Sequence, residues 1–391
     1  MKILLIHNYY RHRGGEDIAF DNQKEMLSRE GIDIEVYSKS SKSLNNIFRK
    51  LASLCSLFYS LRTKKDIKKL ISEHNPDIAH IHNVYPLISS SVYDVLHKNN
   101  IPIVQTIHNY RFFCANGLCI DRGRICEKCE NLSFRNVFTD CRRDNRLYNF
   151  LLALNLYILR KGNIYSRISR FIALSEFVKG KMINTGIDKN KIEVISNIID
   201  LPEVVRDKKT GLEPYFLYMG RLSHEKGIME LFKVFGELKN VRIKILGDGP
   251  LRKEIEEKIK LEGLKNIDLL GYVDGEEKYR IIGSAAATII PSVCYEVSPL
   301  VIMESFKSGI PIIVNNIGSL PENIAEGKNG FIYNSLEELK EKISYMLKLD
   351  VIRKSEMSEY TRESYGKYFN PDKNLKKLTD VYQKILEEKN E

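Results

Sequence analysis

Residues 286–316 read AATIIPSVCYEVSPLVIMESFKSGIPIIVNN, and this stretch decides the fold. The short Ile- and Val-rich runs at its two ends, AATIIPS and IPIIVNN, predict strands, and the apolar run from Leu300 predicts a helix between them. Pro299 suits the first turn of that helix, where its missing N–H costs nothing. Strand, helix and strand in this order make a parallel unit with a crossover helix. The same stretch holds a puzzle. Glu296 stands in the turn before Pro299, and Glu304 stands on the helix face that otherwise reads as buried. A carboxylate there is costly unless something pairs with it.

Working outward, the alternation continues in both directions. The second half shows strands in YFLYMGRL, VRIKILGDGP and IDLLGYV, with helices from 227, 251 and 276. The first half opens on KILLIHN, passes a loop holding Gly14–Gly15, and enters the helix EDIAFDNQKEMLSREG. IDIEVYS, DIAHIHN (77–83) and IPIVQTIHN (101–109) follow as strands, and residues 171–200 read strand, helix, strand. The predicted fold class is α/β, with two doubly wound, Rossmann-like domains facing a cleft. Residues 1–200 form the first domain. The polar, period-free stretch 201–214 is the linker, and 215–370 the second domain. Residues 371–391 form a C-terminal helix that can return to the first domain.

Composition narrows the partners. The 391 residues carry a net charge of +10, unevenly placed: residues 1–200 hold 31 Lys+Arg against 20 Asp+Glu, and residues 201–391 hold 30 against 31. A basic first half suits an anionic membrane surface or a phosphate-bearing substrate. Residues 43–71 and 142–170 are basic and apolar at helical spacing; the first reads as partial membrane contact, the second as core. No run approaches the ~18 uncharged residues of a membrane span, and the short apolar start lacks a cleavage site, so a cytoplasmic location, peripheral to the membrane, is expected. Nucleic-acid binding is disfavoured, with no zinc-finger or stacking motif present. Five of seven cysteines cluster, and the spacing of Cys114, Cys126, Cys129 and Cys141 suits a structural zinc as well as a metal-free loop.

In parallel sheets ligands bind beyond the carboxyl ends of strands, so residues there carry the chemistry. MGRLSHEKG (219–227) places Arg221 and Lys226 between Gly220 and Gly227, a setting for an anion such as a diphosphate. ILGDGP brings Gly247 to a second turn. At the helix after Pro299, the amides of Leu300 and Val301 can face an anion. Carboxylates repel phosphate, so Glu296 and Glu304 are expected to accept from neutral donors, of which sugar hydroxyls are the obvious ones. His108 ends a strand of the first domain and can donate to a hydroxyl, whereas His80 reads as structural.

GRLSHEKG, the ILGDGP turn and E-x7-E together resemble glycosyltransferase family 4, of the GT-B fold, and GGED, TIHNYRFFC and VISNIID extend the likeness over nearly the whole chain. The resemblance implies a retaining sugar transfer from a nucleotide-diphosphate sugar, without a catalytic metal, of the kind found in bacterial polysaccharide assembly. By it, Arg221 and Lys226 hold the diphosphate, Glu304 takes the ribose hydroxyls, and Glu296 and His108 meet the transferred sugar. Gly15, Gly220, Gly247, Ser298, Leu300 and Val301 join the donor site. The expected acceptor, on the first domain's side, is a lipid-linked saccharide. A nucleotide-sugar epimerase or hydrolase is the alternative within this fold, and a non-catalytic, membrane-docked binding subunit the alternative outside it. Two positions depart from the family pattern: Val297–Ser298–Pro299 replaces a glycine-aromatic-glycine run, and Asn109 stands where aspartate is common.

Overall fold

The structure, a computed structural model, describes residues 1–11, 13–43, 58–131, 141, 146–202 and 213–390. It divides into two compact units, one of Met1–Arg122, Cys126–Asp200 and Pro371–Glu391, the other of Gly123–Ile125 and Leu201–Asn370. Residues 44–57 of the basic stretch expected to touch a membrane, and 203–212 of the expected linker, lie outside the described residues.

The first unit runs β1 (Lys2–Tyr9), α1 (Gly15–Arg29), β2 (Asp33–Ser40), α2 (Leu61–His74), β3 (Ile78–Asn83), α3 (Ser91–Lys98), β4 (Ile103–Ile107), α4 (Arg146–Lys161), β5 (Arg170–Ala173), α5 (Glu176–Asn184) and β6 (Ile192–Val194). Its six strands lie parallel in the order β2-β1-β3-β4-β5-β6. Ile3, Leu4, Leu5 and Ile6 are wholly buried, so β1 is covered on both faces. That is why it reads as a continuous apolar run rather than an alternating one. Helix α1 starts where the Asp17 carboxylate accepts from the Gly14 amide (3.0 Å), and α2 starts at Ser60, which accepts from the Thr63 amide (3.1 Å). Helix α4, from the second basic stretch, buries Leu152, Ala153 and Leu156.

The second unit runs β7 (Tyr215–Met219), α6 (Ile228–Glu237), β8 (Arg242–Leu246), α7 (Arg252–Glu262), β9 (Ile267–Gly271), α8 (Gly275–Gly283), β10 (Ala287–Ile290), α9 (Leu300–Lys307), β11 (Ile312–Asn315), β12 (Gly330–Tyr333), α10 (Leu336–Lys348) and α11 (Val351–Tyr368). Its strands are parallel in the order β9-β8-β7-β10-β11-β12. The chain reverses its direction of growth between β1 and β3 in one sheet and between β7 and β10 in the other. Loops leaving such neighbouring strands diverge and open a crevice at their carboxyl ends. No described helix is long and apolar enough to cross a membrane.

The terminal helix Pro371–Asn390 belongs to the first unit. It sets Leu375, Leu378, Tyr382 and Ile385 into the same core as Ile3, Leu5, Phe20, Ile78 and Val104. The Tyr382 hydroxyl also reaches His80 Nδ1 at 2.5 Å. Because Leu378 is buried, Leu378→Ala should cost about 2–5 kcal/mol. In urea unfolding this appears as a lower midpoint with unchanged slope. A cost below about 1 kcal/mol would mean that the helix merely lies on the surface.

Candidate active site

In the second unit the loops after β7 and β8 are laced together by backbone. The Gly220 amide donates to the Leu246 carbonyl (3.0 Å), the Leu222 amide to the Asp248 carbonyl (3.0 Å), and the Leu251 amide to the Leu222 carbonyl (3.0 Å). Gly247 sits at φ +138°, and a Cβ there would lie 1.9 Å from the Gly220 carbonyl oxygen. Gly227 sits at φ +68°, and its Cβ would lie 1.8 Å from the Pro291 carbonyl oxygen, just beyond β10. Glycine at both places is therefore demanded by neighbouring backbone. Of the two glycines expected at a donor site, Gly220 also lies under the Tyr218 hydroxyl, 3.2 Å from where its Cβ would be, and the Gly247 amide donates to the Gly271 carbonyl (2.7 Å).

Across the switch point, Lys226 Nζ binds both Glu296 oxygens, at 2.6 and 2.8 Å, and the Ser292 hydroxyl donates to Glu296 Oε1 at 2.5 Å. The Ser319 hydroxyl holds the Glu296 carbonyl (2.7 Å). Burial pulls the Lys226 ammonium down, but the Glu296 charge and hydrogen bond, with help from Cys294 and Glu225, leave it net above its usual range. Glu304, on α9, takes Lys278 Nζ from α8 at 2.5 Å. Burial raises the Glu304 carboxyl and Lys278 opposes that rise. The expectation that these glutamates accept from neutral donors alone is thus corrected. Each is matched by a lysine, which removes the electrostatic objection to a carboxylate beside an anion.

Arg221 is exposed, and among the described residues its guanidinium has no hydrogen bond or ion pair. Helix α9 begins after Pro299 with no side chain capping it. Ser298, Leu300 and Val301 lie half-buried at that start.

In the first unit, polar residues crowd the carboxyl ends of β1, β3 and β4. His108 Nε2 and His82 Nδ1 are 2.8 Å apart, and the rings of His80, His82 and His108 stack in a column. His80 Nε2 meets Thr106 Oγ1 (2.7 Å), and the Gln23 amide donates to His80 Nδ1 (3.2 Å) and His82 Nε2 (3.3 Å). Burial pushes His80 and His108 down to about 3 and His82 well below its ordinary value, so the column is uncharged at neutral pH. The Asn109 side-chain oxygen accepts from the Arg111 amide (3.1 Å). Its amide donates to Glu16 Oε2 (3.1 Å), which also accepts from the Tyr10 hydroxyl (3.0 Å). Gly15, expected at the donor, is exposed and opens α1 one residue before Glu16.

The residues that sequence reasoning missed are Lys278, Ser292, Tyr10 and Glu16. Two carried a local signal: Ser292, directly after a strand and four residues before Glu296, and Glu16, within the GGED run.

Of the two readings left open for the cysteine cluster, a zinc site and a metal-free loop, the described residues do not support the first. Cys119 and Cys129 donate to Cys114, whose thiol is thereby held well below its usual pKa, while their own are raised. Cys141 donates to Asn149 Oδ1 (3.0 Å). The Cys114 thiol also donates to Asn116 Oδ1 (3.0 Å). Among the described residues no set of three or more Cys, His, Asp or Glu side chains has metal-holding geometry, and the zinc expectation is set aside.

Residues 14–203 match the family described as Glycosyltransferase Family 4, and residues 203–364 match Glycosyl transferases group 1. An uncharacterized glycosyltransferase of Methanocaldococcus jannaschii is 23% identical, over 98% of this chain and 99% of that protein. An uncharacterized 41.2 kDa protein from the cps region of Klebsiella pneumoniae is 22% identical, over 97% and 99%. The Anabaena protein HepE, solved with UDP-glucose, superposes with a TM-score of 0.67 at 17% identity, over 98% of this chain and 100% of HepE. The fold is GT-B.

Two glycines of the second unit should respond to alanine in opposite directions. Gly227→Ala, at positive φ against the Pro291 carbonyl, should destabilise by more than about 1 kcal/mol. Gly236→Ala, inside α6 with nothing within 4 Å of the new Cβ, should be neutral or stabilising by up to about 1 kcal/mol. Thermal unfolding of both variants reads the pair, and equal effects would contradict the contact at Pro291.

Proposed function

The chain belongs to the glycosyltransferases of family 4, and from that premise we propose that it moves a sugar, with retention at the anomeric carbon, from a nucleotide-diphosphate sugar to a saccharide acceptor in surface-polysaccharide assembly. The observation that carries this reading is the site beyond β7 and β10. Past those strand ends come the Arg221 guanidinium, unpaired among the described residues, an uncapped helix start at Leu300, and two carboxylates, Glu296 and Glu304, each paired with a lysine. Cations and amides suit a diphosphate, and neutralised carboxylates suit hydroxyls. Support for the polysaccharide context comes from the Klebsiella relative's cps region, and support for a uridine nucleotide from the UDP-glucose bound by HepE.

In the reaction, the bond between the anomeric carbon and the diphosphate oxygen breaks, with its electron pair leaving on that oxygen. Arg221 and the α9 amides stabilise the developing charge, with Lys226 behind Glu296. The acceptor oxygen bonds to the same face of the anomeric carbon, and its proton passes to the departing phosphate. Glu296 is engaged by Lys226 and Ser292, which makes it a poor nucleophile and favours this single-face displacement over a covalent glycosyl-enzyme. Glu304 binds ribose hydroxyls, Glu296 those of the transferred sugar, and no metal is needed.

A screen of UDP-, GDP- and dTDP-sugars tests the proposal by following nucleotide release with and without a membrane-lipid extract. Acceptor-dependent release from one donor is expected, reduced about 10²–10³-fold in Arg221→Ala and abolished in Glu304→Ala. Undiminished turnover by Arg221→Ala would sink the site assignment. Release that ignores the acceptor would point to a hydrolase or epimerase instead, and a folded protein that binds nucleotides without releasing any to a binding subunit.

The acceptor is a lipid-linked saccharide on the cytoplasmic leaflet, which the protein reaches as a peripheral membrane protein. The support is electrostatic: beyond the basic first half, Lys64 and Lys68 of α2 and Lys98 of α3 line one cavity of about 290 Å³ with Tyr59. Vesicle flotation should show binding that rises with anionic lipid and falls with salt, and indifference to lipid charge would refute the membrane contact.

A further inference from the structure

Helix α4 is built inside out for a helix on a protein surface. Its polar residues turn inward. Asn149 and Asn155 are buried, Asn155 Oδ1 accepting from the Tyr85 hydroxyl (3.1 Å) and Asn149 Oδ1 from the Cys141 thiol (3.0 Å). Arg160 reaches back to the carbonyls of Cys129 (2.7 Å) and Glu130 (2.8 Å). The opposite face carries Leu147, Leu151, Leu154 and Ile158, spaced i, i+4, i+7 and i+11 and so aligned in one stripe. Leu147 is 66% exposed and Ile158 48%, and the two leucines between them are half-buried. No Asp or Glu occurs anywhere in Arg146–Lys161. A surface helix ordinarily puts its charges on this outer face, and a contiguous apolar strip there marks a surface that something apolar covers.

The charges nearby identify the covering. Arg146 and Lys161 stand exposed at the two ends of the stripe. Phe58 packs against the α4 cluster, and the next residue, Tyr59, lines the cavity of about 290 Å³ with Lys64, Lys68 and Lys98. The one carboxylate lining that cavity, Asp94, is paired with Arg167. A two-fold dimer through this face would set these cations against their own copies. An anionic membrane instead offers apolar chains to the leucines and phosphates to the cations.

We propose that the outer face of α4 is a membrane-insertion surface, its stripe of Leu147, Leu151, Leu154 and Ile158 entering the acyl boundary of an anionic bilayer while the flanking cations stay at the phosphates. The proposal rests on the peripheral-membrane reading above and deepens it. Binding then has an apolar component besides the electrostatic one, and α4 carries it. Salt screens the electrostatic component and leaves the apolar one in place.

The chain contains no tryptophan, so one introduced indole reports its own surroundings. The test uses the full chain as Leu147→Trp and as Ile158→Trp, with Val351→Trp, at a position 82% exposed in the second unit, as the control. The probes are vesicles of equal parts phosphatidylglycerol and phosphatidylcholine, with plain or brominated acyl chains. Emission from the two α4 variants should shift to the blue and be quenched by the brominated chains, while the control does neither. In flotation, the double variant Leu147→Asn with Ile158→Asn should bind these vesicles about tenfold or more weakly than wild type. Wild type should also keep part of its binding at a salt concentration that abolishes binding of the double variant. Vesicle binding with both α4 indoles unquenched would overturn the insertion surface and leave a purely electrostatic contact standing. Failure of wild type to bind the vesicles at all would overturn the insertion surface together with the membrane reading. A blue shift that needs no vesicles and grows with protein concentration would also overturn it, giving the stripe to a second copy of the chain. No donor or acceptor sugar enters the experiment, so none of these outcomes depends on the transferase activity.

Discussion

The Lys226–Glu296 pair is the constraint on which the second unit's site depends. It joins the loop after β7 to the loop after β10 where the sheet changes its direction of growth. Glu296 is buried while the Lys226 side chain is 31% exposed, so taking one partner away strands a charge that water reaches in part, at a cost below the roughly 3–5 kcal/mol of a fully buried pair. The backbone enforces the same junction independently. Gly227 touches the Pro291 carbonyl, and the Val293 amide donates to the Glu225 carbonyl (3.0 Å). With the two loops fixed, the backbone at Arg221 and the start of α9 are set before any ligand arrives, while the Arg221 side chain stays exposed. Positioning of this kind is what lets a site stabilise charge without reorganising at the moment of reaction.

The two units solve the problem of polar strand ends differently. In the second, charge is admitted and balanced, with Lys226 against Glu296 and Lys278 against Glu304. In the first, charge is suppressed, since burial outweighs every other influence on His80 and leads those on His82 and His108, holding the column neutral. His80 also carries structure, because its contact with the Tyr382 hydroxyl ties the terminal helix to the sheet. A charged crevice suits a diphosphate and a neutral one suits hydroxyls, which is the division of donor and acceptor between the two units that the proposed function requires.

Much of this architecture was legible in the sequence because parallel strands buried on both faces leave unbroken Ile- and Val-rich runs, as in Ile3–Ile6 and Ile312–Val314. Gly227 and Gly247 were legible for a related reason: backbone packed against backbone tolerates no side chain. Short β12 and helices α10 and α11 find no place in the sequence reading, since GFIY is four residues long and too short to show a period, although Asn329–Gly330 marks a turn at its start. Partners brought together only by the fold were invisible. Lys278 is 26 residues from Glu304 and reads as one more surface lysine, and nothing near Glu16 announces that one of its oxygens lacks a donor. For the cysteines the sequence left a zinc site and a metal-free loop both open, because C-x-x-C spacing is compatible with zinc without requiring it. Which thiols meet is set by the loop, where Cys119 at φ +52° turns toward Cys114.

The departure at Val297–Ser298–Pro299 now has a physical consequence. A glycine-rich turn would leave several amides free to approach phosphate oxygens, but here Val297 is buried and Pro299 has no N–H to give. Pro299 stands at the cap position, with φ −71°, ψ 127° and no capping side chain, so the first amides on offer are those of Leu300 and Val301. Anion binding at this helix must therefore begin one residue after the proline. In the proposed donor site, with fewer backbone donors, a larger share of the stabilisation falls on Arg221, whose guanidinium is unpaired among the described residues. A guanidinium holds phosphate by a fork of fixed geometry rather than as a point charge, so Arg221→Lys, which keeps the charge, would not restore what Arg221→Ala removes.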